Sequence, residues 1–359
     1  MARLRVALVG CGDGAQRHHL PLLRRMRGAE LVVVADPDAT RRQAALRHAP
    51  GAIAVTDHRD AIAHPGVDAV VLCLPSWGHA EAAVAALERR KHVYVEKPLA
   101  TTIADGARVV AAWRAAGVVG MMGFNYRFNP LYEAARRHVA EGRVGELVAV
   151  RTVFTTAARE APTWKRSRRD GGGALLDLGS HHVDLVRWVL GVEPIDVRAD
   201  LRSRRTEDDT ACLQLRLTNG VVVQSLFAFG AIDEERFEIH GSAGKLIVDR
   251  ARHQQVVLEG PTRRGRRLRR LVQATRALAR APYVVEKMLV PGHEPSHRTA
   301  LARFVAAAST GTPVTPDLAD GEASLAIVVA AESSARTGRA VRVTGGDGDV
   351  YHAAESRRG

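Results

Sequence analysis

An apolar run, Leu4 to Val9, breaks into Gly10-Cys11-Gly12-Asp13-Gly14-Ala15 and then into helix-forming sequence, and a second apolar run, Leu31 to Ala35, stops at Asp36. Strand, tight turn, helix and acidic strand end in that order admit few folds. They form the fingerprint of a parallel sheet that holds a dinucleotide. Gly10 permits the turn, Gly12 lets a pyrophosphate approach the backbone, and Ala15 is small enough for helix and strand to pack. Asp13 and Gly14 complete the expected cofactor loop, whose phosphates would rest on the helix N-terminus. Asp36 stands where the fingerprint places an acceptor for the adenosine ribose hydroxyls, and an exposed carboxylate there repels a 2′-phosphate, so NAD is expected. Arg41 and Arg42 pull the other way, because a guanidinium can pair with that phosphate, and NADP stays open.

The alternation continues beyond Asp36. Helical stretches at Ala39 to His48, His79 to Arg90 and Ile103 to Ala116 separate a short strand near Ile53 from strands at Ala69 to Leu74, His92 to Val95 and Val118 to Met122. Strands divided by helices imply a doubly wound parallel sheet with ligands at the strand exits. Cys73, Leu74, Pro75, His79, Glu96 and Lys97 all fall at such exits and are expected at the cofactor. Lys97, in Glu96-Lys97-Pro98, carries the most chemistry: a cation beside a nicotinamide site can polarise a substrate oxygen, which suggests hydride transfer.

The second half reads as an antiparallel sheet. Alternating segments at Leu147 to Thr156, Ile195 to Leu201, Thr210 to Leu217, Val221 to Phe229, Phe237 to His240 and Lys245 to Val248 are joined by short turns such as Asn219-Gly220. Helices from His297 to Ser309 and Ala319 to Arg336 close the fold. The fold class is therefore α/β: an N-terminal Rossmann domain over residues 1–123, then an α+β substrate-binding and oligomerisation domain over 124–344 with a large, mostly antiparallel open sheet. Residues 345–359 are expected to be a disordered tail. An open sheet leaves one face for a partner subunit, so a homo-oligomer, dimer or tetramer, is expected.

Composition narrows the setting. A chain of 359 residues is long enough for two cores, and no apolar run approaches the about 18 residues that a membrane span needs. The first strand begins at once, leaving no room for a signal peptide, and three cysteines without metal-ligand spacing read as reduced thiols; a cytoplasmic location is expected. Cys11 and Cys73 would line the cofactor cleft simply because they are small. Much of the net charge of +13 comes from Arg263, Arg264, Arg266, Arg267, Arg269, Arg270, Arg276 and Arg280, with Leu268, Leu271, Val272, Thr275 and Leu278 at helical spacing between them. This reads as a solvated amphipathic helix, with attraction of an anionic substrate or a membrane surface as the alternatives. No aromatic residues interleave the arginines, and no nucleic-acid partner is expected.

A second chemical cluster follows Gly171-Gly172-Gly173. Asp177, His181 and Asp184 fall at helical spacing on one face. A histidine flanked by carboxylates takes a hydroxyl proton near neutral pH, because adjacent negative charge raises its pKa and fixes its tautomer. Carboxylates complementing a helix dipole, or a metal site, are the plainer readings; neither accounts for Lys97, and no metal is expected.

Taken in order, Gly10-x-Gly12-x-x-Ala15, Asp36, Pro75 with His79, Glu96-Lys97-Pro98, Gly123-Phe124-Asn125-Tyr126-Arg127-Phe128-Asn129-Pro130 and the glycine triplet with Asp177, His181 and Asp184 resemble the glucose-fructose oxidoreductase and inositol dehydrogenase (Gfo/Idh/MocA) family from Leu4 to about Val343. The resemblance implies an NAD(P)-dependent dehydrogenase acting on a secondary alcohol or ketone of a sugar, cyclitol or sugar derivative, nucleotide-linked ones included. In that family pattern Lys97 matches the lysine on the reacting oxygen, His181 the proton-transferring histidine and Asp177 the acid that orients the site. A cis peptide before Pro98 is also implied. Asn125 and Arg127 match positions near nicotinamide and substrate, and Trp164 and Lys165 could touch substrate or be an ordinary surface loop. Two other outcomes are compatible with the resemblance: a dinucleotide-binding regulator without turnover, and a redox-assisted glycosidase.

Overall fold

The computed structural model describes residues 3–158, 162–251, 255–260 and 294–344. Six strands, β1 (Leu4–Val9), β2 (Ala29–Ala35), β3 (Ile53–Val55), β4 (Ala69–Leu72), β5 (His92–Val95) and β6 (Gly120–Met122), form one sheet in the order β3-β2-β1-β4-β5-β6. Every pairing is parallel. Alternate residues feed two separate cores. Val9, Ala35, Leu72 and Val95 pack on one face with Ile62, Ala83, Leu87 and Val109. Leu8, Val34, Val71 and Tyr94 pack on the other with Leu20, Leu23, Leu301 and Phe304. A sheet covered on both faces explains why its strands read as continuous apolar runs.

The helix that covers the second face lies far along the chain. Ser296–Thr310 supplies Leu301 and Phe304 to the N-terminal sheet, although the sequence groups it with the second half. Helix ends follow local chemistry. Thr102 caps Ile103–Ala116 by accepting from the Asp105 amide, and Gly117 ends it in the left-handed region at φ 63°. Helices at His58–Ala63 and Pro130–Ala140 were not anticipated from the sequence; the first is too short to show a period.

The second sheet has eight strands: β7 (Leu147–Thr156), β8 (Pro194–Arg202), β9 (Thr210–Leu217), β10 (Val222–Phe229), β11 (Glu234–Gly241), β12 (Gly244–Asp249), β13 (Gln255–Glu259) and β14 (Val341–Arg342). Their order is β13-β12-β11-β7-β10-β9-β8-β14. All pairs are antiparallel except one: β7 and β10 run parallel, from Ala149 opposite Val222 to Thr156 opposite Phe229. The exception follows from connectivity, since the chain leaves β7 through the helix Ser180–Leu190 before the β8-β9-β10 meander, and such a crossover permits parallel pairing. β9 alternates cleanly, with Ala211, Leu213, Leu215 and Leu217 buried and Cys212, Gln214 and Arg216 exposed. The turn at Asn219-Gly220 is present, with Gly220 at φ 83°.

The two sheets are tied at the cleft. The amide of Met122, in β6, donates to Pro316 O at 2.9 Å, just before the helix Leu318–Thr337, which packs against both β8 and Ile103–Ala116. Gly171 has no room for a side chain, because a Cβ would fall 2.3 Å from Cβ of Ser76 at the exit of β4. No helix among the described residues is long and apolar enough to cross a membrane. The arginine-rich segment at 263–280 and the tail at 345–359 lie outside the described residues.

Candidate active site

At the dinucleotide turn, Gly10 adopts φ 88°, and a Cβ there would fall 2.5 Å from the carbonyl oxygen of Cys73. The ends of β1 and β4 therefore meet only through glycine. Gly12 and Gly14 differ: a Cβ on either meets nothing within 4 Å, which leaves the open space that a diphosphate needs. The helical segment beginning at Ala15 has no side-chain cap; the Gln16 amide donates to Gly12 O at 2.9 Å, and the open glycine turn ahead of it offers an anion its place. These residues fit a dinucleotide. Asp13 is exposed and pairs with Arg17 at 2.7 Å.

Asp36 is placed differently from the sequence expectation. It is buried, and its carboxylate accepts from the amides of Cys11 at 2.8 Å and Asp38 at 2.9 Å, fastening the glycine turn to β2. A carboxylate has lone pairs beyond these two bonds, so a ribose hydroxyl can still be bound. Gln16, overlooked in the sequence, braces the same turn by donating to Cys11 O and Arg41 O. Arg42 is turned onto the carbonyls of Asp36 and Pro37, whereas the Arg41 guanidinium is more than half exposed beside Asp38.

The reactive cluster spans the sheets. Lys97, on the exit of β5 and followed by a cis peptide to Pro98, places Nζ 2.6 Å from Oδ1 of Asp177 and 2.8 Å from its main-chain oxygen. Lys165 places Nζ 2.8 Å from the other oxygen, Oδ2, with the Trp164 ring 5.3 Å from the ammonium. Burial alone would push the Asp177 carboxyl up, but the Lys97 and Lys165 ammonium groups hold it far below the usual carboxylate range. His181 stacks on Tyr126 with ring centroids 4.3 Å apart, and its Nδ1 is buried without a hydrogen-bond partner among the described residues.

The histidine expectation needs correction. Among the described residues no carboxylate bonds His181: Asp177 is occupied by the two lysines, and Asp184 accepts from Arg127 at 2.5 and 2.9 Å. The cause is long-range: Lys97, Lys165 and Arg127, from other elements, take up the carboxylates, and Asp177 lies in a π-helical turn, Leu175–Gly179, while His181 lies in the α-helix that follows. Burial, reinforced by the Lys97 ammonium, pushes the His181 pKa well below its ordinary value. It is a neutral imidazole rather than one raised by carboxylates.

Several residues expected at cofactor or substrate are engaged in bracing the cleft. Fully buried His79 has ring nitrogens 2.6 Å from Pro98 O and 2.9 Å from Leu74 O, so it links the loops that carry Lys97 and Pro75. Glu96 turns inward to His19, with Oε1 2.8 Å from Nε2. Burial opposes charge on both, yet Glu96 is held down at about 2 by the His19 bond, and the His19 pKa is raised by the same carboxylate. The neighbouring Cys73 thiol is pushed up by burial and stays neutral at pH 7, so Glu96 is the partner that charges His19. Glu96, His19 and His297 form one close His-Glu-His group among the described residues, with the ion pair already using its central donors. Asn125 is buried and donates to Ser296 Oγ at 2.9 Å. Arg127 is buried between Asp184 and Asp320, joining Ser180–Leu190 to Leu318–Thr337.

Sequence reasoning missed the floor beneath His181. Arg250 lies 4.3 Å from the Tyr126 ring centroid, donates to its hydroxyl at 2.5 Å, and pairs with buried Glu235 and Glu294. Nothing in local sequence joins residues 126, 235, 250 and 294; a long-range fold does.

Comparison with known proteins agrees with this geometry. Residues 4–124 match the oxidoreductase family profile described as an NAD-binding Rossmann fold, and residues 132–247 match the GFO/IDH/MocA C-terminal domain. The chain is 30% identical to 1,5-anhydro-D-fructose reductase of Ensifer adhaerens, over 95% of this chain and 99% of the relative. It is 27% identical to myo-inositol 2-dehydrogenase of Thermotoga maritima, over 95% and 98%. Among solved structures, the WlbA dehydrogenase from Bordetella pertussis, in complex with NADH and UDP-GlcNAcA, superposes with a TM-score of 0.81 at 25% identity, covering 95% of this chain and 97% of that one. With an NAD-binding fold and these family matches over both halves, the chain belongs to the Gfo/Idh/MocA family of oxidoreductases.

Proposed function

We propose that this protein oxidises a secondary alcohol of a sugar, cyclitol or nucleotide-linked sugar, and reduces the corresponding ketone in reverse. The observation that carries the reading is the Lys97–Asp177 pair at 2.6 Å, formed across the cleft at a strand exit beside a neutral His181. NAD, when bound, supplies the hydride acceptor. Gly10, Gly12, Asp13, Gly14, Ala15 and Asp36 would hold it, with Cys73, Leu74 and Pro75 at the neighbouring strand exit and Arg41 available to a 2′-phosphate.

The protein's own residues do the rest. His181 takes the hydroxyl proton, which a neutral imidazole can accept, and the Lys97 ammonium donates a hydrogen bond to the oxygen as it becomes negative. Asp177 keeps Lys97 aimed, while His79 and Glu96 fix the loop from which Lys97 projects. Residues 1–123 act as the dinucleotide half and 124–344 as the substrate half, a division that the family matches at 4–124 and 132–247 support. The exposed row Cys212, Gln214 and Arg216 on the outer face of the larger sheet is the surface for self-association, read by size-exclusion chromatography. Three free cysteines fit a cytoplasmic setting.

The test is formation of NADH or NADPH by the purified protein against inositols, free sugars and nucleotide sugars, with Lys97→Ala as control. Turnover lost in the control supports the reading. NAD binding without turnover on any of them favours a regulator, and sugar release without net NADH favours a redox-assisted glycosidase.

A further inference from the structure

Asp177 is held by two lysines that come from different parts of the chain. Lys97 arrives from the exit of β5, and Lys165 from the short turn Thr163–Arg166 ahead of the glycine triplet. That turn is seated on the triplet: a Cβ on Gly172 would fall 2.2 Å from the Lys165 carbonyl oxygen and 2.6 Å from its carbonyl carbon. The Gly172 amide also donates to Ser167 O at 2.8 Å. Glycine at 172 is what lets the lysine-bearing turn lie this close.

The charge balance gives the arrangement its significance. Lys97 and Asp177 alone sum to zero, and the carboxylate field would oppose negative charge on any oxygen that Lys97 touches. A second ammonium on the other carboxylate oxygen leaves the group with a net positive charge. Lys97 places two N–H donors on Asp177 and keeps a third for a substrate oxygen, while Lys165 needs only one donor to neutralise Oδ2.

We propose that Lys165 is a positioning residue for the reaction, holding Asp177 from the side opposite Lys97 so that the cleft stays positive where the substrate oxygen becomes negative. The inference rests on the sugar-alcohol reading above. Among the described residues, the charged and titratable groups facing Asp177 include Lys97, Lys165 and His181.

The experiment has a readout independent of turnover. In protein labelled with ¹³C-carboxyl aspartate, the Asp177 resonance is titrated in wild type, Lys165→Met and Lys165→Arg, and NADH affinity is measured by fluorescence. Lys165→Met should raise the Asp177 titration by about one pH unit or more, since a single adjacent cation typically accounts for that much. Its kcat should fall about tenfold to a hundredfold with NADH affinity kept, and Lys165→Arg should recover most of both changes. Gly172→Ala, which retains the lysine but displaces its turn, should shift the titration the same way. An Asp177 that titrates alike in wild type and Lys165→Met overturns the proposal whatever the enzyme turns over. Wild-type turnover unchanged in Lys165→Met overturns it too, while leaving the sugar-alcohol reading intact.

Discussion

Lys97, Asp177 and His181 show how far a side chain's chemistry depends on what lies beside it. Adjacent carboxylates in sequence suggest a histidine of raised pKa, but the fold gives both carboxylates to cations and leaves a half-buried His181 with its pKa pushed well below its ordinary value. A base with a lowered pKa stays deprotonated into more acidic solution. The kcat/KM for alcohol oxidation should therefore hold level through the ordinary histidine range near 6.5 and fall only below it, as read from an initial-rate pH profile. An acid limb centred on the ordinary value would contradict this seating of His181. Lys97→Ala should lower kcat by about a hundredfold to a thousandfold, the usual loss on removing one donor to a developing oxyanion, while NADH affinity by fluorescence changes little. The two measurements together separate chemistry from cofactor binding.

At the scale of elements, glycine positions carry the strongest constraints. Gly10 combines φ 88° with a Cβ position 2.5 Å from Cys73 O, so Gly10→Ala must either strain the turn or part β1 from β4. That variant should lose about 1–3 kcal/mol of stability by denaturant titration and most of its NADH affinity. Gly12 has open space instead, and Gly12→Ala should keep stability while weakening NADH, because the added methyl enters the cofactor's volume rather than the protein's. The same reasoning marks what sequence could not give. Gly171-Gly172-Gly173 is conspicuous as a motif, but that Gly171 clears Ser76 and Gly172 clears Lys165 is known only once the loops are placed.

Across the whole molecule, buried ion pairs join elements far apart in the chain. Arg127 holds Asp184 and Asp320 together while almost wholly buried, and Arg127→Met would strip buried Asp184 of its two-pronged guanidinium while Asp320 keeps Arg187 at 4.0 Å. A loss of about 3–5 kcal/mol in urea unfolding is expected, with the double change Arg127→Met and Asp184→Leu recovering part of it. The Glu96–His19 pair predicts a pH dependence with two opposite limbs. Glu96, depressed to about 2, contributes stability that is present above its ordinary 4.5 and lost as pH falls toward its folded value. His19, raised by Glu96, contributes stability that is complete below its ordinary 6.5 and lost as pH rises through its folded value. Thermal melts across pH should show Glu96→Gln flattening both limbs relative to wild type.

The sequence alone determined what periodicity and local backbone chemistry can encode. The turn at Gly10, the acid ending β2, the parallel order through Lys97 and the alternating strands of the second half all depend on neighbours a few residues apart. Tertiary structure alone decided which polar residues face the cleft. His79, Glu96, Asn125 and Arg127 carry functional side-chain types at plausible strand exits, yet each is drawn inward by a partner 5 to 193 positions away. A buried polar group must find such a partner, and only the closed fold shows where it lies.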